Sequence, residues 1–225
     1  VDAAHRLGSQ SIAYTYTEPT IFFEYSYDIA RLAHEAGIAS VYVTNGYMTA
    51  EMLELFQGID GEHEPWLDAA NVDLKAFRDE TYRRVCGARL QPVLDSLQKM
   101  VQLGVWVEVT TLVVPGLNDS EEELRDLAAF IAGHLGPEVP WHVSRFHPDY
   151  RMQDGIPTPR ATLQRAYELG REAGLHYVYV GNLPDAGLED TPCPGCGRAV
   201  VERRGFRVMR RSTVSGRCSR CDTLI

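Results

Sequence analysis

Asp73 and Lys75 stand two residues apart in NVDLKAF, an acid and a base that a strand would point to one face while Leu74 points to the other. An isolated buried charge is expensive, so such a pair either neutralises itself or is kept for a ligand, with Lys75 meeting a carboxylate and Asp73 orienting it. Glu18 poses a similar choice in TYTEPTIFFEY, where strand-like alternation gives way after Pro19 to apolar residues at helical intervals. Pro19 suits a first helical turn. The carboxylate before it can balance the helix dipole, or meet a ligand amine above the strand end. His147, in SRFHPDY, follows a strand and precedes a proline, a place from which its ring would project into the mouth of a site, although a lone histidine is often structural. Glu108 and Thr110 add polar groups that packing alone would not choose.

The cysteines carry a second signal. CPGC at 193–196 and CSRC at 218–221 are separated by 21 residues, and this C-x2-C…C-x2-C pattern of Cys193, Cys196, Cys218 and Cys221 suits four-thiolate zinc, each pair forming a knuckle. Rubredoxin-like iron is the alternative. Cys86, in RRVCGARL, has no neighbouring cysteine and reads as a packed thiol. The arginines between the knuckles, Arg203, Arg204, Arg207, Arg210 and Arg211 among them, could form a solvated face, dock on the protein's own acidic body, or contact RNA or an acidic protein.

These groups need elements to hold them. Strand-like runs recur near 11–16, 40–44, 70–75, 105–113, 141–146 and 176–181, about 30 residues apart as in βα units. Amphipathic stretches lie between them, with Gly37 and Gly174 as stops and Ser120 with Glu123 as a capping box. Strands alternating with helices imply a parallel sheet with right-handed crossovers. No G-x-G-x-x-G follows the first strand, which weakens a dinucleotide-binding reading. Polar residues gather instead at one end of every strand: Thr17 and Glu18, Thr44 and Asn45, Asp73 and Lys75, Thr110 and Thr111, Arg145 and His147, and Asn182. In parallel α/β folds that end binds ligands, so a TIM-like closed or partial barrel is expected.

The 225 residues suffice for one large domain or a domain with an appendage, and the net charge of −9 argues against nucleic acid as a partner of the main body. Residues 191–225 carry eight arginines against Glu202 and Asp222, giving +6 there and −15 elsewhere. The expected division is 1–188 as the barrel and 189–225 as a small zinc-ribbon-like module. No apolar run approaches the roughly 20 residues that cross a bilayer, no secretory signal opens the chain, and paired C-x-x-C motifs fit a reducing compartment, so the chain reads as cytoplasmic.

YTYTEPTIFFEY, VYVTNGYM, ANVDLKAF, VEVTTLVVPGLND, WHVSRFHPDYRM and YVYVGN, followed by CPGCG and CSRC, together resemble the radical S-adenosylmethionine (SAM) enzyme of the AmmeMemoRadiSam system, itself similar to pyruvate formate-lyase activating enzymes. The resemblance covers nearly the whole chain. It implies a partial (β/α)6 barrel in which a 4Fe-4S cluster on a CxxxCxxC loop reduces SAM to methionine and a 5′-deoxyadenosyl radical, which abstracts hydrogen from an unspecified substrate, with a protein or peptide as one candidate. It further implies that Thr17 and Glu18 meet the methionyl amine, that Thr44 and Asn45 end the next strand, that Asp73 and Lys75 engage the methionyl carboxylate, and that His147 lies near the nucleoside. Partner proteins of the same system are a further implication. No residue is singled out as catalytic.

Two features depart from the family. TYTEP stands where the wider superfamily has glycines, so Tyr16 and Thr17 must fit where backbone approaches the ligand. No CxxxCxxC occurs, and the chain opens at Val1 before what the family would count as its second strand; an N-terminally truncated fragment, inactive by itself, is the expectation. Two other functions stay open: a cofactor-free barrel lyase or hydrolase using Lys75 or His147 with Asp73, and a binding module acting through the arginine-rich ribbon.

Overall fold

The computed structural model of the chain describes residues 1–225 except 60, 62, 151, 184–186 and 206. Arg151, which falls within the motif WHVSRFHPDYRM quoted above, therefore lies outside the described residues. Six strands, β1 (Ser11–Tyr14), β2 (Ala39–Thr44), β3 (Ala69–Asp73), β4 (Trp106–Val113), β5 (Trp141–Arg145) and β6 (Val178–Gly181), form one sheet in sequential order. The pairings β1 with β2, β2 with β3 and β5 with β6 are parallel. A sequential parallel order requires a crossover between every pair of neighbours, and the intervening helices supply it. All six strands fall where the hydrophobic pattern places them. Among the described residues no helix is long and apolar enough to cross a membrane.

The chain divides into two compact units, residues 1–74 with 82–109 and residues 75–81 with 110–225. In the first, α1 (Asp2–Arg6) precedes β1, α2 (Phe23–Glu35) follows it, α3 (Ala50–Gln57) follows β2, and the short α4 (Asp79–Thr81), which belongs to the other unit, comes before α5 (Leu90–Gln102). Helix α2 turns Ser26, Ala30 and Ala33 inward, small residues that let it lie close to the sheet. Beneath it Tyr14, Tyr42 and Phe56 pack edge to face, with centroids 5.4 and 5.3 Å apart for the two successive pairs. The buried tyrosines keep partners: Tyr42 Oη bonds Ser26 Oγ at 2.5 Å and Tyr14 Oη bonds Ser40 Oγ at 3.4 Å. Burial pushes both phenols above their ordinary pKa, so they remain neutral at physiological pH.

β1 stops at Tyr14, two residues short of the strand pattern, because Tyr16 takes φ = 69°. No L-residue continues a strand from that region, and a tyrosine there costs about 1–2 kcal/mol. The ring of Tyr16 is fully exposed.

In the second unit α6 (Glu121–Phe130) runs on through a π-helical turn at Ile131–Leu135, and α7 (Arg160–Glu172) precedes β6. Their inward residues Leu124, Leu127, Leu163, Ala166 and Leu169 are buried, as is Trp141 of β5, whose Nε1–H donates to Thr111 Oγ1 at 3.0 Å. Beyond β6 the chain forms a three-stranded antiparallel sheet of β7 (Thr191–Pro192), β8 (Ala199–Arg204) and β9 (Arg207–Arg211), and a two-stranded one of β10 (Thr213–Val214) and β11 (Arg217–Cys218). Tyr179 of β6 bonds Thr191 at 3.0 Å, and Arg203 lies 5.6 Å above the Tyr179 ring while donating to Thr191 Oγ1 at 2.7 Å.

Candidate functional site

At the carboxyl ends of β1 and β2 three expected residues meet. Thr44 Oγ1 donates to Glu18 Oε1 at 2.5 Å, and the Asn45 N–H donates to Glu18 Oε2 at 2.8 Å. Glu18 is also the cap of the 3₁₀ turn Pro19–Phe22, its Oε1 accepting from the Thr20 N–H at 3.4 Å and the Thr20 hydroxyl at 3.3 Å. The choice posed by the sequence, between capping group and strand-end group, is thus not exclusive: one carboxylate does both. Each carboxylate oxygen has about two lone pairs, and among the described residues Oε2 accepts one bond. A half-buried, acceptor-only group held this way suits a ligand ammonium.

Gly46, which no sequence motif singles out, shapes the second side of this corner. Its N–H donates to Thr44 Oγ1 at 3.1 Å, which directs the hydroxyl proton toward Glu18. Its φ is 71°, and a Cβ there would come within 2.7 Å of Val72 Cγ1. Asn45 Oδ1 accepts from the Tyr47 N–H at 2.8 Å and fixes the next turn. Thr17, by contrast, is exposed and takes no part in this knot. Asp73 is the half-buried last residue of β3, next to Val72, which pairs with Thr44.

In the other unit, Lys75 is exposed and follows the strand rather than belonging to it, since β3 ends at Asp73; the alternation of burial continues nonetheless, with Leu74 fully buried. His147 is exposed in the segment after β5. Asn182, at φ = 59°, donates through Nδ2 to the Arg145 carbonyl at 3.4 Å. Thr111 is a buried partner of Trp141 and so has a packing role. Glu108, back in the first unit, is half-buried and accepts from Trp106 Nε1 at 3.3 Å.

The four paired cysteines do converge. Their sulfurs lie within 4.8 Å of one another, Cys193 to Cys221 at 3.5 Å and Cys196 to Cys218 at 3.8 Å. A tetrahedral zinc with bonds of about 2.3 Å sets its sulfurs about 3.8 Å apart, whereas a disulfide bond would need about 2.0 Å. The spacing fits a metal and excludes cross-knuckle disulfides. The knuckles repeat one geometry. In each, the N–H of the residue after the second cysteine returns to the first cysteine's carbonyl, Gly197 to Cys193 at 2.8 Å and Asp222 to Cys218 at 2.9 Å, and that residue has positive φ, 71° and 60°. The hydrogen bonds from Thr223, first its hydroxyl and then its backbone, hold the Cys221 thiol down to about 6, toward the thiolate a metal binds. Gly195 makes room for Thr223, whose Oγ1 would lie 2.2 Å from a Cβ at that position. Val200 and Ile225 complete a small apolar core around the sulfurs.

Cys86 is exposed, not packed: it ends the π-helical turn Tyr82–Cys86, of which only Tyr82 is buried.

Comparison with known proteins fits this picture. The model of the radical SAM superfamily matches residues 1–129, more than half of the chain. The chain belongs to the radical SAM superfamily. Uncharacterized protein MJ0808 of Methanocaldococcus jannaschii is 42% identical over 223 residues, covering 98% of this chain and 64% of that protein. The pyruvate formate-lyase-activating enzyme of Clostridium pasteurianum is 27% identical over 141 residues, 58% of this chain and 56% of that enzyme. The chain thus spans less than two thirds of the length of either relative. A crystallised domain of the pyruvate-formate lyase-activating enzyme from Bacteroides vulgatus superposes with a TM-score of 0.65 at 15% identity, over 77% of this chain and 100% of that domain, which shows a shared fold.

Radical SAM membership implies an iron–sulfur cluster as well as SAM, and the residues present treat the two groups differently. The Glu18 corner suits an amine-bearing ligand. The cysteines do not suit a cluster at the strand ends: the sequence has no CxxxCxxC, four of its five cysteines are in the ribbon, and the fifth is Cys86.

Proposed function

We propose that this chain is the SAM-binding core of a radical SAM enzyme of the AmmeMemoRadiSam type, whose work is hydrogen abstraction from a protein or peptide substrate. The observation that carries the reading is the Glu18–Thr44–Asn45 knot at the ends of β1 and β2, within the stretch that matches the superfamily. In this reading Glu18, with Thr17 beside it, receives the methionyl ammonium, Thr44 and Asn45 hold the Glu18 carboxylate in place, Asp73 and Lys75 engage the methionyl carboxylate, and His147 meets the nucleoside. The protein's part is to bind and orient; the bound cofactor brings the reactive chemistry. Because the cysteines of this chain do not fit a 4Fe-4S cluster, the ligands of such a cluster are assigned to residues outside these 225.

Residues 189–225 are proposed as a ribbon module folded around zinc by Cys193, Cys196, Cys218 and Cys221. Its strand β9 is exposed at every described residue, and this supports a docking role toward acidic partner proteins of the same system.

Isothermal titration of the 225-residue chain with SAM tests the core reading. Binding is expected, with Glu18→Ala and Lys75→Met each weakening it at least about tenfold, or roughly 1.4 kcal/mol. A chain that binds neither SAM nor S-adenosylhomocysteine sinks the reading.

A further inference from the structure

Lys75 sits in the segment after β3, which two buried side chains hold from both ends, Asn118 in the turn after β4 and Glu123 in α6. Asn118 is 4% exposed and spends its amide on three backbone groups: Nδ2 donates to the Lys75 carbonyl at 2.7 Å and to the Leu112 carbonyl at 2.9 Å, and Oδ1 accepts from the Val114 N–H at 2.7 Å. It thereby ties Lys75 to the end of β4. Two residues beyond Lys75, the Phe77 N–H donates to Glu123 Oε1 at 2.6 Å, and Glu123 is 5% exposed. Between these grips Ala76 is 1% exposed.

The sequence pattern places Glu123 in a capping box, and half of that box forms: Ser120 Oγ accepts from the Glu123 N–H at 3.2 Å. Its carboxylate is used elsewhere. A carboxylate in the first turn of α6 has ready partners in the helix's own amides, yet this one is buried and joined to the turn carrying Lys75. Burying a carboxylate is costly, and spending it, among the described residues, on the Phe77 amide two residues from Lys75 argues that the placement of that segment matters.

We propose that Asn118 and Glu123 are positioning residues that fix the Lys75–Phe77 turn and, through it, the Lys75 ammonium. The proposal rests on the reading above that Lys75 meets the carboxylate of SAM. Neither residue touches the cofactor in this arrangement; both act on backbone atoms of the turn.

The test uses two substitutions that break the grips and one that spares them. Asn118→Asp puts an acceptor opposite two carbonyls, and Glu123→Ala removes the Phe77 acceptor, whereas Glu123→Gln keeps an oxygen for it. Lys75 and Lys99 are the only lysines in the sequence, so labelling lysine at Cε gives two NMR signals, assigned by Lys75→Met. Asn118→Asp and Glu123→Ala are expected to move the Lys75 signal, leave that of Lys99 in place, and weaken SAM binding at least about tenfold; Glu123→Gln is expected to restore both. If both variants lower the melting temperature while the Lys75 signal and the SAM affinity stay at wild-type values, the pair is merely structural and the proposal is overturned. If the Lys75 signal moves but SAM affinity does not, or the wild type binds no SAM, the positioning stands and the assignment of Lys75 to the cofactor fails.

Discussion

The corner at Glu18 and the ribbon at Cys193 both gather polar groups onto a small volume, by opposite means. In the corner the protein supplies donors and acceptors together: one carboxylate takes two hydroxyls and two amides from two short segments, at Thr20 and at Thr44–Asn45. The cluster is complete in itself, so it stands ready before any ligand arrives. In the ribbon four sulfurs lie within 4.8 Å of one another with few donors among them, an arrangement that suits a cation. One site is preorganised by hydrogen bonds; the other, read as a metal site, would be organised by the ion it binds. Ligand binding should therefore cost the corner little ordering, while metal binding and folding of the ribbon should be one event.

Metal removal probes that contrast most strongly. Stripping metal from the loaded chain with a chelator is expected to cost the ribbon on the order of 10 kcal/mol. Hydrogen exchange would then accelerate across 191–225 while β1 and β2 keep their protection; uniform loss of protection would mean the regions are not independent. Glu18→Ala reverses the pattern. It leaves the Thr44 hydroxyl and the Asn45 N–H without their acceptor, for an expected loss of about 2–3 kcal/mol in urea unfolding, with unchanged metal content. Gly195→Ala pushes a methyl group into Thr223 and should cost about 1–3 kcal/mol, read as weaker zinc retention in a competition titration. Tyr16→Gly is the mildest change. Relieving the left-handed tyrosine should stabilise the chain by up to about 1 kcal/mol, less what the more flexible unfolded chain takes back.

The sequence makes the two regions legible to different depths. The four cysteines declare themselves by spacing, since a knuckle is a local device; what spacing does not show is Asp222, which takes the positive φ that glycine supplies in the first knuckle. β3 is legible because its apolar alternation survives in burial, with Ala70 and Val72 inside, whereas β2 buries Ser40, Tyr42 and Thr44 and leaves Val43 exposed. The corner is legible only as a set of names. Thr44 and Asn45 bond Glu18 across 26 and 27 residues, and nothing local to TYTEP or VTNG states which strand lies beside which. By sequence they are three separate ligand groups, when they are first of all each other's partners. Asn118 and Glu123 escape for the same reason: a loop asparagine and a first-turn glutamate have ordinary local explanations, and only the fold shows the Lys75 turn between them. Cys86 misleads because thiols are usually buried, whereas this one ends a turn anchored by a single buried tyrosine.

The four sulfurs of the ribbon are unequal in one further way. Cys193 and Cys218 are buried, Cys196 is half-buried and Cys221 is exposed. A metal held there has a sheltered hemisphere and an open one, and a competing chelator or an incoming ion can approach through the Cys221 side. Exchange of the metal would then be a sequential process whose first and slowest detachments differ by ligand, with Cys221 leaving first. The lifetime of the bound ion would be set by a single outer thiolate and the Thr223 hydroxyl beside it, although its affinity is set by all four.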